Sequence, residues 1–135
     1  MLKLIIGRKG SGKTKTIVEM ANAKLTETNG SVVFIEKGDK LIHEVKYQAR
    51  LLDTDEYRIE NGAQLYGFVA GNYGGNYDIS DIFIDSALKI CGNDKNQLWE
   101  FLDRVIAFSE KHPVNFVITS SLAPEELPEK YRAYL

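Results

Sequence analysis

Eight residues near the start of the chain, GRKGSGKT at 7–14, have the types and spacing of a phosphate-binding loop. They match the pattern G-x-x-x-x-G-K-[ST] at every fixed position. Glycines let the backbone curve around a phosphate without a Cβ clash, and successive backbone N–H groups then point at the anion. An apolar run precedes the loop and a helical pattern follows it, which is the context this chemistry requires. The pattern therefore predicts a site for the phosphates of a nucleotide.

The residues of this loop have separate expected roles. Lys13 would reach the β- and γ-phosphates as a catalytic cation, and the Thr14 hydroxyl would be a ligand of Mg²⁺. Arg8 and Lys9 would add positive field, whereas Lys15 could equally be a solvated helix position. The alternative is a glycine turn that only joins a strand to a helix. The predicted nucleotide-binding residues are Gly7, Arg8, Lys9, Gly10, Ser11, Gly12, Lys13, Thr14 and Lys15.

A carboxylate that could complete a magnesium site stands at the end of another apolar run. The stretch DIFID at 81–85 predicts a buried strand that ends in Asp85. The carboxyl ends of parallel strands meet at one edge of a sheet, where a phosphate loop also lies, so Asp85 is the expected second metal ligand. Asp81 begins the same strand and should lie at the opposite edge. An aspartate that only terminates a strand is the alternative.

The group that would activate water is less evident. Ser86 follows Asp85, in the position where many nucleotide hydrolases carry a glutamate. Glu36 ends the run SVVFIE and is the first candidate for the base, although it could be an ordinary strand-end acid. Thr119 and Ser120 end the run VNFVITS. They could contact the γ-phosphate or the attacking water, or they could simply be polar residues leaving a strand.

The elements that must position these groups alternate along the chain. This alternation predicts one α/β domain, residues 1–135, with a mainly parallel sheet flanked by helices. The loop GNYGGNYD at 71–78 carries Tyr73 and Tyr77, which could stack on a base or a partner, or face solvent. Strands are predicted at 2–6, 31–36, 79–85 and 114–119, with a weaker one at 47–52; helices are predicted at 13–28, 61–69 and 94–111, with weaker ones at 39–46 and 124–134.

Composition narrows the classes of function. The chain has 17 basic and 19 acidic residues and a net charge of −2. Proteins that bind nucleic acid through overall electrostatic attraction usually carry an excess of basic residues, so the composition does not favour nucleic acid as a partner. Its single cysteine, Cys91, has no partner within the chain for a disulfide. No apolar stretch approaches the roughly 20 residues needed to span a membrane. These features predict a cytoplasmic protein.

The order of these parts resembles the RecA-like branch of the P-loop NTPase superfamily. IFIDSAL at 82–88 resembles that group's Walker-B strand, and GRKGSGKT its Walker-A loop. SVVFIE resembles the strand that ends near the hydrolytic base, and VNFVITSS the strand whose polar end senses the γ-phosphate. The resemblance implies a three-layer P-loop NTPase fold of minimal size that uses ATP and Mg²⁺. The chain is also similar to small stand-alone bacterial proteins described only as ATP-binding.

Three functions follow from this pattern. The first is a Mg²⁺-dependent ATP-binding protein that hydrolyses the γ-phosphate slowly, with Lys13, Glu36 and Thr119 as catalytic residues. The second is a non-catalytic nucleotide-dependent switch or an assembly subunit, which acts with a protein partner or as a homo-oligomer. The third is a small-molecule kinase of the nucleoside type, for which the short chain leaves little room. GTP remains a second possible ligand, although no N/T-K-x-D motif for reading its base is present.

Overall fold

A five-stranded sheet runs through the protein, and all four of its strand pairs are parallel. The computed structural model describes residues 1–135. The strand order is β1-β5-β4-β2-β3, so β5 lies between the strand that enters the phosphate-binding loop and the strand that leads to Asp85. The strands are β1 (Leu2–Gly7), β2 (Ser31–Glu36), β3 (Arg50–Asp53), β4 (Ile79–Ile84) and β5 (Asn115–Ser121).

Helices cover both faces of this sheet. The longer ones are α1 (Lys13–Glu27), α2 (Gly62–Gly75) and α4 (Lys95–Lys111), and a single turn, α3 (Ala87–Ile90), follows β4. One face of the sheet packs on α2, α3 and α4 and forms a cluster of 24 buried apolar residues. The other face packs on α1 and forms a cluster of 9. The predicted three-layer α/β architecture is therefore confirmed.

Successive side chains of the central strands point to opposite faces of the sheet, and every second one faces α1. Val32 and Phe34 of β2 pack in the α1 cluster, whereas Val33 and Ile35 pack in the larger one. Because successive strand residues point to opposite faces, Glu36 at the end of β2 projects toward the α1 face. The same parity applies to the residue after β4, since Phe83 packs against α1. The polar groups at this edge of the sheet thus share one face with the helix that begins at the phosphate-binding loop.

The helix ends explain why α2 and α4 begin where the sequence predicts. The Asn61 side chain accepts a hydrogen bond from the backbone of Gln64 at 2.9 Å, and Asp94 accepts from Asn96 and Gln97 at 2.9 and 3.3 Å. Such side-chain oxygens satisfy the free N–H groups of a first turn. None of the helices is long and apolar enough to cross a membrane.

Four predictions of local structure differ from the structure, two in the type of element and two in its bounds. Residues 39–46 form turns rather than a helix, although Leu41 and Val45 still pack against α1. The strand predicted at 47–52 begins only at Arg50. Helix α2 continues through Gly75, because burial of Val69 and Tyr73 outweighs the low helix propensity of its glycines. The predicted terminal helix consists of two 3₁₀ segments, Pro124–Glu126 and Glu129–Tyr134.

Candidate functional site

The predicted phosphate-binding loop leaves β1 at Gly7 and enters α1 at Lys13. Gly10 and Gly12 have left-handed backbones, with φ values of 85° and 88°, which residues with a Cβ adopt at a cost. A Cβ at either position would meet no protein atom within 4 Å, so the loop is open there. A Cβ at Gly7 would come within 2.6 Å of Ser11 Oγ. The loop therefore favours glycine for its conformation at two positions, and at the third a Cβ would force Ser11 to shift.

Helix α1 begins without a side-chain cap. Its N-cap residue is Gly12, and no side chain accepts a hydrogen bond from the first turn. Uncapped N–H groups at the positive end of a helix dipole bind anions. The exposed cations of this region, Arg8, Lys9 and Lys15, add to the positive field. This helix end is therefore suited to a phosphate group.

The Lys13 ammonium folds back onto the loop. Its Nζ donates to the carbonyl oxygen of Arg8 at 2.9 Å and to Ser11 Oγ at 3.3 Å. Both acceptors are neutral and at least partly exposed. A phosphate oxygen carries negative charge and is a stronger acceptor for an ammonium group than a carbonyl or a hydroxyl. Lys13 can therefore exchange these contacts for a phosphate without leaving the loop.

Asp85 is held by hydroxyl groups from two different elements. Thr14 Oγ1, in the first turn of α1, donates to Asp85 Oδ2 at 3.0 Å. Thr119 Oγ1, on β5, donates to Asp85 Oδ1 at 2.6 Å. The backbone N–H of Ser86 donates to Thr119 Oγ1 at 2.8 Å. The position of β5 between β1 and β4 makes this possible, because it puts Thr119 between the strand-end acid and the loop.

Glu36 ends the neighbouring strand β2 and is almost fully buried, with 4% of the residue exposed. Its Oε2 accepts a hydrogen bond from the backbone N–H of Leu41 at 3.1 Å. Burial raises the pKa of Glu36, the Leu41 hydrogen bond opposes this, and the nearby carboxylates of Asp53, Asp85 and Asp39 raise the pKa further. Ile35 of β2 pairs with Ile84 of β4, so Glu36 and Asp85 follow paired residues at the same edge of the sheet.

The second oxygen of Glu36 has no hydrogen-bond partner and is not completely buried. Its Oε1 makes no hydrogen bond within the chain, and Thr54 Oγ1 is the only fully buried side-chain polar atom that lacks a partner. Oε1 therefore keeps contact with solvent. A carboxylate with a raised pKa and one unpartnered oxygen is suited to accept a proton from water.

The donor set fits a hydrated Mg²⁺ and a triphosphate. The Thr14 proton is directed at Asp85, which leaves the lone pairs of the Thr14 oxygen free. Each Asp85 oxygen accepts one hydroxyl and keeps a further lone pair. Mg²⁺ is usually bound by one or two protein oxygens together with waters and substrate phosphates. Thr14 and Asp85 are the residues that would hold it, next to the open loop.

The structure brings together Lys13, Thr14, Asp85 and Thr119, which sequence patterns single out, and it puts Glu36 on the adjacent strand. It separates Tyr73 and Tyr77 from them. Tyr73 packs edge-on against Phe108 in the core, and Tyr77 is 76% exposed. Both precede β4, whereas Asp85 follows it, so about 20 Å of strand lies between. Of the alternatives open for these tyrosines, stacking on a base at this site is therefore not favoured, and Tyr77 faces solvent.

Two backbone groups of the site carry no recognisable signal in the sequence. The Leu41 N–H reaches Glu36 only because residues 37–40 turn back, and Gly38 at φ 97° permits that turn. Ser86 has a left-handed backbone, with φ 61° and ψ 50°, directly after Asp85. A glycine in a short loop is a weak hint for the first. Nothing in the residue type of serine indicates the second.

Comparisons with known proteins support a conclusion about the fold only. No protein-family model and no curated protein matches the chain. Among solved structures, the flagellar accessory protein FlaH from Methanocaldococcus jannaschii matches 96% of this chain with a TM-score of 0.60 and 18% sequence identity. This chain spans 63% of the length of that one. At such identity the likeness shows the fold alone, and the RecA-like fold expected from the sequence resemblance is confirmed.

Proposed function

We propose that this protein is a P-loop NTPase that binds ATP with Mg²⁺ and slowly hydrolyses its γ-phosphate. The observation that carries the proposal is the hydrogen bond between Thr14 Oγ1 and Asp85 Oδ2, which joins residues 71 positions apart. It links the phosphate-binding loop to the strand-end acid, and nucleotide hydrolases of this class need these two oxygen ligands side by side. The uncapped start of α1 and the RecA-like sheet support the same proposal.

Binding would use groups that are already in place. The backbone N–H groups of the loop and of the first turn of α1 would hold the phosphates, and Lys13 would exchange its contacts with Arg8 and Ser11 for phosphate oxygens. When bound, Mg²⁺ would neutralise charge on the phosphates beside Thr14 and Asp85. Because the loop is preorganised, little conformational entropy would be lost on binding.

Hydrolysis would depend on Glu36. Its Oε1 would accept the proton of the attacking water, and its raised pKa favours that transfer. The water oxygen would form a bond to the γ-phosphorus as the bond to the β–γ bridging oxygen breaks, with ADP as the leaving group. We expect slow turnover because Ser86 occupies the position beside Asp85, and because the only candidate base stands on a neighbouring strand.

The first test is a pair of lysine substitutions on the same helix. Lys13→Ala removes charge-assisted contacts worth about 1.5–3 kcal/mol, so MgATP should bind about 10- to 150-fold more weakly. Lys24→Ala, in the last turn of α1, removes only a surface ion pair with Glu27 and should bind like the wild type. Calorimetric titration with MgATP measures both. Equal affinity of wild type and Lys13→Ala would refute the proposed site.

Measurement of phosphate release distinguishes hydrolysis from the two alternative functions, a nucleotide-dependent switch and a kinase. Phosphate release should be slow in the wild type and lost in Glu36→Gln, while MgATP binding is retained. Tight binding without phosphate release, alone or at high protein concentration, would instead support a nucleotide-dependent switch. Transfer of phosphate to a nucleoside faster than to water would support a kinase. Competition between ATP and GTP decides which nucleotide the site prefers.

A further inference from the structure

The Thr119 hydroxyl has only one proton, and its neighbours determine where that proton lies. The backbone N–H of Ser86 can only donate, so Thr119 Oγ1 must accept in that contact, at 2.8 Å. The proton of Thr119 is then directed at Asp85 Oδ1, at 2.6 Å. Thr119 is 0% exposed. It therefore has no proton left for a phosphate, and its remaining lone pair would repel a phosphate oxygen.

The same hydroxyl also supports the backbone after Asp85. Ser86 has φ 61° and ψ 50°, a conformation that costs a residue with a Cβ roughly 1–2 kcal/mol. The hydrogen bond from its N–H to Thr119 favours this geometry. Asp85 itself is fixed on the opposite side, where its backbone N–H donates to the carbonyl of Ile35 at 2.9 Å. Thr119 thus contacts both the carboxylate and the turn that follows it.

We infer that Thr119 is a positioning residue, which orients the Asp85 carboxylate for a divalent cation rather than contacting the γ-phosphate. This inference rests on the proposed function, in which Asp85 is a metal ligand. Thr14 holds one carboxylate oxygen and Thr119 the other, so together they restrict rotation of the group. Removing a partner that orients a metal ligand typically lowers metal affinity by about 10- to 100-fold.

Two substitutions at this position make a matched pair. Thr119→Val keeps the branched shape but has no hydroxyl, whereas Thr119→Ser keeps the hydroxyl. The probe is a fluorescent, non-hydrolysable ATP analogue, titrated with Mg²⁺ and also measured in excess EDTA. In Thr119→Val the half-saturating Mg²⁺ concentration should rise about 10- to 100-fold, with metal-free nucleotide affinity within about twofold of the wild type. Thr119→Ser should behave like the wild type.

Other results would overturn the inference. A Thr119→Val protein with an unchanged Mg²⁺ requirement but lost phosphate release would place Thr119 at the phosphate or the water instead. A wild type that binds no MgATP overturns the proposed function together with this role. If the wild type binds MgATP and Thr119→Val has the same Mg²⁺ requirement as the wild type, only the positioning role of Thr119 is overturned.

Hydrogen exchange of the wild type tests the contact even if Thr119→Val fails to fold. The Ser86 amide should exchange far more slowly than an unprotected amide, since it is bonded to a buried hydroxyl. Exchange of Ser86 at the rate of a free amide would contradict the inference.

Discussion

Replacing Ser86 with glycine should stabilise the protein, although this residue follows the candidate metal ligand. Ser86 has a left-handed backbone, at φ 61° and ψ 50°, in which the Cβ of serine is unfavourable. Its side chain makes no hydrogen bond that caps α3. Its backbone N–H, which donates to Thr119, is kept by glycine. The substitution therefore removes a strained Cβ and leaves the observed backbone contact in place.

The expected magnitude is the difference between two effects. The left-handed conformation costs a residue with a Cβ about 1–2 kcal/mol, and glycine avoids that cost. Glycine also gives the unfolded chain more freedom, which offsets about 0.5–1 kcal/mol of the gain. The difference between the two ranges is about 0–1.5 kcal/mol, so Ser86→Gly should raise the free energy of unfolding by about 0.75 kcal/mol at the midpoint.

Urea denaturation of Ser86→Gly and two control variants measures this effect. Ser86→Ala keeps the Cβ and the strain, so it should show no gain. Asn93→Gly changes another left-handed residue, at φ 59°, but asparagine tolerates this conformation and the gain should be smaller. If Ser86→Gly were no more stable than Ser86→Ala, backbone strain after Asp85 would not be the reason for the effect, and the reasoning would be refuted.

Further predictions concern the candidate base and the loop. The raised pKa of Glu36 means that the folded protein binds this proton more tightly than the unfolded chain does, so stability is lost as pH rises from about the ordinary value of 4.5 through the folded pKa. Glu36→Gln should therefore be more stable than the wild type at pH values above the folded pKa of Glu36, and this difference should disappear near pH 4.5. Urea denaturation at several pH values measures the difference. A difference that is largest at low pH would contradict a raised pKa of Glu36. Phosphate release by Glu36→Gln should fall about 10²- to 10⁴-fold. Gly7→Ala places a Cβ within 2.6 Å of Ser11 Oγ and should weaken nucleotide binding in the same titration, whereas Gly67→Ala, whose Cβ meets no atom within 4 Å, should leave binding unchanged and stabilise α2 by up to about 1 kcal/mol.

Much of the architecture could be predicted because its signals are local. Strands buried on both faces read as continuous apolar runs, as in SVVFIE and DIFID, and the caps Asn61 and Asp94 mark helix starts at short range. Predictions failed where tertiary packing competes with propensity. Helix α2 extends through a glycine-rich stretch since Tyr73 gains burial there, and residues 39–46 bury Leu41 and Val45 without forming a helix.

Short-range spacing is sufficient to specify which chemical groups the loop carries. The spacing of Gly7, Gly12, Lys13 and Thr14 specifies an uncapped, basic helix start, because these features depend only on neighbouring residues. The sequence also identified Asp85 as a candidate ligand, since a strand-end acid is recognisable from its own strand.

Contacts between distant segments of the fold determine how these groups act on one another. The strand order places β5 between β1 and β4, so Thr119 meets Asp85 across the sheet and not through any feature of its own segment. The turn at Gly38 brings the Leu41 N–H to one oxygen of Glu36, and the other oxygen of that acid has no partner within the chain. Such contacts join residues that are distant in sequence or depend on the path of a turn. Residue types and short-range spacing therefore cannot specify these contacts. The pairing of the strands in the sheet brings the residues together.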